Sequence, residues 1–268
     1  LKPFSSLSEK LPCVLTIAGS DSSGGAGIQA DLRTFGALGV HGLSAITAIT
    51  AQNSRRVWSI RCVSAPRVRD QIDAAFEEFD IAAVKIGMLG SAATIRSVAA
   101  VLERRAQRNI VLDPVLVSSS GTRLLPRTTV TILIDRLIPL ADVLTPNRPE
   151  AAALLGRNLP AEKAARELLK FGAASVLLKG GHSRGHKLVD HFVGSSGSHN
   201  YLHERLPIRA RGTGCVLSSA IAANLALGMA PSAAVSGAER FLQNALRQSR
   251  LASDSETRLI LPTISTKK

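Results

Sequence analysis

Short apolar runs and helix-period segments take turns along this chain, and that alternation limits its fold more than any other feature. Val14 to Ala18 is an apolar run closing at Gly19, which predicts a buried strand. Ile28 to Leu38 then places Ile28, Leu32, Phe35 and Leu38 on one helix face. Leu43 to Ala51 predicts a second strand. Pro66 stands where a helix start tolerates a missing N–H, with Val68, Ile72, Ala75, Phe76 and Phe79 turned inward. Ala82 to Ile86 reads as a strand, Ser91 as the N-cap of a helix running to Arg105, and Ile110 to Leu112 as a strand closed by Asp113-Pro114. Further strands are expected at Asp142–Leu144 and Ser175–Lys179. Further helices are expected over Pro149–Leu155, Ala161–Phe171, Thr213–Leu227 and Ser232–Arg247. His186 to Leu206 carries strand signals on both sides of Gly194–Ser198, which predicts a hairpin near one sheet edge. The whole pattern predicts an α/β fold: a mostly parallel central sheet flanked on both faces by helices, with right-handed crossovers.

With 268 residues, 45% of them apolar, the chain can bury about three-quarters of its surface in one core and is too apolar for disorder. No internal repeat or low-complexity linker divides it, so a single domain over 11–262 is expected, with flexible tails at 1–10 and 263–268. No run approaches the ~20 apolar residues of a membrane span. Leu1 to Leu11 mixes Lys2, Pro3, Glu9 and serines, lacks the apolar segment of a secretory signal, and reads as a loose leader. Cys13, Cys62 and Cys215 are odd in number and sparse, which gives no disulfide framework and no CxxC metal clip and points to a reduced, cytoplasmic protein. Lys and Arg exceed Asp and Glu by 13. A basic nucleic-acid-binding module is one reading of that excess, and it predicts a steep salt dependence. The basic residues are scattered, however, and the aromatics available for stacking are seven Phe, Trp58 and Tyr201. A solvated basic surface that speeds encounter with a small anionic substrate accounts for the charge better.

In sheets of this kind ligands bind beyond the carboxyl ends of the strands. The residues expected there are Gly19 to Gly27, Gln52-Asn53, Gly87-Met88-Leu89, Asp113-Pro114, Thr145-Pro146-Asn147 and Lys179-Gly180-Gly181-His182. Gly25 to Ala30 fits G-x-G-x-x-A, yet no acid follows between His41 and Ser59 to hold a ribose, so a tight turn is favoured over hydride transfer. Gly180 and Gly185 have P-loop spacing, but His186 stands where the Lys belongs. His182 and His186 share no helix face, and no metal site is expected from them. Gly212-Thr213-Gly214-Cys215 enters the apolar helix Val216 to Leu227. Such a turn exposes unpaired N–H groups to an anion and is expected to lower the pKa of its thiol. A Cys-dependent phosphatase loop would need Arg six residues later, where Ile221 stands. Asp113 and Glu150 offer carboxylates for Mg²⁺, and Lys179 a compact charge for phosphates. Together these are the parts for phosphoryl transfer.

The run Leu15-Thr16-Ile17-Ala18-Gly19-Ser20-Asp21-Ser22-Ser23-Gly24-Gly25-Ala26-Gly27-Ile28-Gln29-Ala30-Asp31 is long and specific. It is followed in order by Thr47 to Asn53, Lys85 to Leu89, Asp113-Pro114-Val115, Leu144 to Asn147, Lys179 to His182 and Gly212 to Cys215. In these motifs, over nearly its whole length, the chain resembles the hydroxymethylpyrimidine/phosphomethylpyrimidine kinases of thiamine biosynthesis, within the ribokinase-like superfamily. The resemblance implies an ATP- and Mg²⁺-dependent kinase, commonly a homodimer. It would phosphorylate 4-amino-5-hydroxymethyl-2-methylpyrimidine and then its monophosphate. By that resemblance Gly19, Ala26, Asp31, Gln52, Met88 and Val115 surround the pyrimidine. Lys179, Asp113, Glu150 and Asn147 would serve ATP, with Asp113 and Glu150 managing Mg²⁺. Gly212, Thr213, Gly214 and Cys215 would form the catalytic set, with Cys215 beside the substrate hydroxyl. A Gln amide both donates and accepts, which suits an aminopyrimidine edge, and a Met thioether suits its ring. Around these motifs the chain departs from the family: Ala210-Arg211 replaces Thr-His, Val216 replaces Thr, and Ser54-Arg55-Arg56 replaces Thr-x-Gly. A pyridoxal-type vitamin kinase is the sister reading.

Overall fold

The computed structural model describes residues 10–117, 125, 127–181, 187–251 and 257–260. The expected tails at 1–10 and 263–268 lie outside these, save Lys10, and so do His182 and His186. In chain order the first half runs β1 (Cys13–Asp21), α1 (Gly27–Ala37), β2 (His41–Gln52), β3 (Val57–Cys62), α2 (Ala65–Glu78), β4 (Ile81–Ile86), α3 (Ala92–Arg104) and β5 (Ile110–Leu112). Next come α4 (Val130–Arg136), β6 (Val143–Leu144), α5 (Arg148–Leu155), α6 (Ala161–Leu169), β7 (Ser175–Leu178), β8 (Lys187–Gly194) and β9 (Gly197–Glu204). The chain continues with β10 (Arg209–Arg211), α7 (Thr213–Ala226), α8 (Pro231–Arg247), β11 (Arg250–Leu251) and β12 (Thr257–Leu259).

Nine strands form one sheet in the order β3-β2-β1-β4-β5-β6-β7-β8-β9. The six central strands are parallel, and β3, β8 and β9 pair antiparallel at the two ends. Alternate side chains of each strand feed opposite faces. Leu15, Ile17, Val84 and Ile86 pack with α2, α3, α5 and α6, around Ile72, Ile95, Leu102 and Leu168. Val14, Ala83 and Val111 pack with α1, α7 and α8, around Phe35, Ile221 and Leu242. The α/β sandwich is the one expected, and the Gly194/Gly197 hairpin forms its edge. Ser91 caps α3, accepting from the Thr94 N–H at 3.1 Å.

Some details differ from the sequence reading. Phe79 is the C-cap of α2 rather than a residue within it, and α6 stops at Leu169, before Phe171. Strand β3, helix α4 and the small β10-β12-β11 sheet were not expected. Helix α4 carries the β-branched Val130, Thr131, Ile132 and Ile134, and takes helical form because Leu133 and its neighbours pack into the core.

Candidate functional site

A cleft of about 950 Å³ opens beyond the carboxyl ends of the parallel strands. Met88 follows β4, Asp113 and Val115 follow β5, Asn147 follows β6 and Lys179 follows β7. Gly19, Ala26 and Gln52 complete one wall, and the Gly212-Thr213-Gly214-Cys215 turn and Glu150 face it. Every residue that the resemblance assigned to substrate, ATP or catalysis lines this cleft except Asp31.

Two glycines set the wall. Gly27 has φ +58°, and a Cβ there would stand 2.3 Å from the Gly19 carbonyl oxygen. Gly212 has φ +76°, and a Cβ there would stand 2.0 Å from the Gly25 oxygen. The expected tight turn is therefore real, and it lets the β1–α1 loop touch the loop that starts α7. Asp21 organises the first loop: its carboxylate accepts the Ser23 and Ala26 N–H groups at 2.9 and 2.8 Å. Arg211 ties the second loop to the first and to β2. Its Nε lies 3.3 Å from Asp21 Oδ2, its Nη2 donates to Gln52 Oε1 at 2.6 Å, and its Nη1 donates to the Asn53 carbonyl. The Gln52 oxygen is thus engaged within the protein, which leaves its NH₂ group to meet a ligand.

Asp31 lies beneath the cleft. It is fully buried, accepting from Thr16 Oγ1 at 2.7 Å, Ser219 Oγ at 2.7 Å and Lys85 Nζ at 3.0 and 2.9 Å. Three donors making four contacts saturate the carboxylate, so it is the partner of Lys85 and not a wall of the cleft. Lys85 reaches the cleft floor, and it was missed because its motif was read for Gly87 and Met88. Burial acts to lower the Lys85 pKa, but Asp31, with Cys215 and Asp113 adding to it, holds the ammonium above its ordinary range. Cys215 is a correction too. Burial pushes its thiol up to about 11, with Asp31 and Asp113 adding to it against the pull of Lys85 and of the Gly27 backbone, so the group is a neutral thiol near pH 7. Desolvation is the largest of these effects.

On the other side, Lys179 Nζ lies 2.7 Å from Asp113 Oδ1. Burial acts to lower the Lys179 pKa, yet Asp113 and then Glu150 raise it, so the ammonium stays charged. A Cβ on Gly214 would stand 3.3 Å from Lys179 Nζ, which places this cation directly against the start of α7. Glu150 and Asn147 form a capping box: the Asn147 oxygen accepts from the Glu150 N–H at 2.9 Å, and Glu150 Oε2 from the Asn147 N–H at 2.8 Å. Burial raises Glu150 to about 7, with Asp113 adding to it and Lys179 opposing. The first i−4 bond of α7 is Val216 N–H to Gly212 O, so the Thr213, Gly214 and Cys215 N–H groups precede the helical ladder. A group of cations and free amides facing two carboxylates is an arrangement for handling phosphates.

A family described as phosphomethylpyrimidine kinase matches residues 21–257. The chain belongs to the phosphomethylpyrimidine kinase family. Among relatives, the hydroxymethylpyrimidine/phosphomethylpyrimidine kinase of Rhizobium meliloti (strain 1021) is 48% identical over 238 residues, spanning 87% of this chain and 89% of the relative. The enzyme of that name in Escherichia coli (strain K12) is 42% identical over 217 residues, spanning 78% and 81%. A crystal structure of phosphomethylpyrimidine kinase from Clostridium difficile 630 matches with a TM-score of 0.78 at 41% identity, covering 88% of this chain and 99% of that one. The pyridoxal kinase of Staphylococcus aureus, solved with AMP-PCP and pyridoxal, matches with a TM-score of 0.86 at 30% identity, covering 97% and 96%. The fold is the ribokinase-like one expected, and pyridoxal kinases are more distant relatives than phosphomethylpyrimidine kinases.

Proposed function

We propose that this phosphomethylpyrimidine kinase family member transfers the terminal phosphate of ATP to 4-amino-5-hydroxymethyl-2-methylpyrimidine, and then phosphorylates the monophosphate to the diphosphate. One observation carries the reading: the amide-rich start of α7 and the amide of Gln52 face one cleft, joined by Arg211. The pyrimidine is held among Gly19, Ala26, Met88 and Val115, with the Gln52 NH₂ donating to a ring acceptor. Its hydroxyl stands beside Cys215. Lys179 and the Thr213, Gly214 and Cys215 N–H groups meet the negative charge of the transferring phosphoryl group, which spreads over its oxygens in a loose transition state. A nucleophile in such a transition state needs little help from a base, so a neutral thiol suffices to orient the hydroxyl. Lys85, fixed by Asp31, supplies positive potential under the reacting oxygen.

Asp113 and Glu150 suit Mg²⁺, being buried hard-oxygen donors on one wall, with Lys179 beside them to share the phosphates. When bound, the ion would neutralise charge on the ATP phosphate oxygens. Asn147 holds Glu150 in place through the capping box. The reading also takes the chain as one domain over 11–262. It further places the protein in the cytoplasm as a homodimer. Support comes from the free cysteines among the described residues, and from Ile49 and Trp58, 59% and 53% exposed near the β3 edge of the sheet. No described helix is long and apolar enough to cross a membrane.

Incubation with ATP, Mg²⁺ and the hydroxymethylpyrimidine is expected to yield the mono- and then the diphosphate. Pyridoxal, run in parallel because of the structural likeness, is expected to give the lower kcat/KM. Absence of turnover on the pyrimidine and its monophosphate would remove the reading.

A further inference from the structure

A second cluster of reactive side chains sits away from this cleft, between the β8–β9 hairpin and α8. Asp190 on β8 faces Tyr201 across the ladder, so His203, two residues on along β9, is its diagonal neighbour on the same sheet face. Helix α8 lays Glu239 over the pair. His203 Nε2 is 3.2 Å from Glu239 Oε2 and 3.6 Å from Asp190 Oδ2, and one ligand atom from each residue lies within 4.8 Å of the other two. The side chains of His203, Asp190 and Glu239 are only 10%, 10% and 4% exposed.

Two atoms in the cluster lack a hydrogen-bond partner although both are buried: His203 Nε2 and Glu239 Oε1. An imidazole nitrogen and a carboxylate oxygen, both desolvated and carried by side chains that meet, form an N/O donor set. Two carboxylates buried side by side are expensive without a cation to share between them. Ligands around a tetrahedral ion at bond lengths of about 2.0–2.2 Å stand about 3.3–3.6 Å apart, close to the 3.6 and 3.2 Å that separate His203 Nε2 from Asp190 and Glu239.

We infer that Asp190, His203 and Glu239 bind a divalent transition-metal ion of the zinc class, with one position left for water. The mixed imidazole and carboxylate donors favour this class over Mg²⁺ or Ca²⁺. The site is structural. It ties the edge hairpin to α8, and through Asp190 Oδ1, which accepts the Gly180 N–H, it steadies the residue after Lys179. The metal therefore braces the back of the phosphate-handling wall without entering it.

The test uses the full chain, stripped with a chelator and exchanged into metal-free buffer. Titration with Zn²⁺ is expected to saturate at one ion per chain and to raise Tm by several degrees. Titration with Co²⁺ is expected to give the visible absorption of a four-coordinate ion. H203Q and E239Q should each lose the stoichiometric site and the Tm rise. H203Q should keep its Mg²⁺-dependent kinase activity within about twofold, because His203 does not line the cleft. Wild-type protein that shows no saturable Zn²⁺ binding and no Tm change would overturn the inference, leaving a carboxyl pair neutralised by protons alone. Zn²⁺ binding that persists unchanged in both variants would overturn it too, by placing the ion elsewhere, for instance at Asp113 and Glu150.

Discussion

Arg211 Nη2 and Gln52 Oε1 stand 2.6 Å apart, and this contact fixes which end of the Gln52 amide faces the cleft. Arg211 is anchored in turn by Asp21, so the amide cannot turn over freely. R211M should therefore raise the KM for the pyrimidine about tenfold, the equivalent of a charge-assisted hydrogen bond of about 1.5 kcal/mol, while kcat moves by less than about threefold. A pyrimidine analogue whose ring acceptor is replaced by C–H should lose as much affinity for wild type as Q52A loses for the natural substrate. Tight binding of that analogue would mean that the amide presents its oxygen instead.

Cys215 should behave as a thiol that orients rather than as a thiolate that attacks. C215A is expected to lower kcat on the order of a hundredfold with KM little changed. In a background lacking Cys13 and Cys62, alkylation of Cys215 should stay slow at pH 8 and rise only toward pH 11. A kcat left untouched by C215A would reduce the residue to packing.

Glu150 gives the reaction a pH dependence. Its folded-state pKa of about 7 lies above the ordinary glutamate value of 4.5. As an acid with a raised pKa, it loses the carboxylate form as pH falls through about 7. Affinity for Mg²⁺ should fall with it, so kcat/KM for MgATP should rise across pH 6 to 8, and E150Q should flatten that limb. The same shift makes the folded state hold a proton between pH 4.5 and 7 that the unfolded chain has released. Its contribution to stability is therefore present below 4.5 and lost as pH rises through 7. A limb identical in E150Q would assign the titration to another group.

Lys85 and Asp31 form a fully buried ion pair between the sheet and α1. K85M should cost about 3–5 kcal/mol in urea unfolding, because it strands the Asp31 charge in the core. The double variant K85M/D31N should recover part of that stability but not the activity. Full recovery of activity would deny Lys85 any part in the chemistry.

Much of this arrangement was legible in the sequence. Unbroken apolar runs located the parallel strands and the 3.6 periodicity the main helices, because a strand buried on both faces loses its alternation. The rule that ligands gather at strand ends then collected Gly19, Gln52, Met88, Asp113, Asn147 and Lys179, while much of the rest of the lining comes from helices and later loops. What was not legible has physical causes. Asp31 sits in a motif that borders the site, and only the three-dimensional path shows its carboxylate saturated from below. The thiol of Cys215 was expected to be acidic from its place at a helix start, whereas its desolvation in the cleft wall, with Asp31 and Asp113 nearby, decides its pKa. Strand β3 is short and largely exposed, so its alternation carried little signal. Strands β10 and β12 pair across about fifty residues, a contact that no local pattern announces. The His203–Asp190–Glu239 group comes from three elements and leaves no spacing motif at all.

The walls of the cleft are drawn from residue 18 at one extreme to residue 215 at the other, and the Arg211 bridge closes the circuit. During synthesis the strands that hold the pyrimidine can therefore assemble first, yet nothing can be phosphorylated until the last quarter of the polypeptide has left the ribosome. A message cut short before that point would yield a sheet without a working chamber, and no two half-length fragments would each retain a share of the activity.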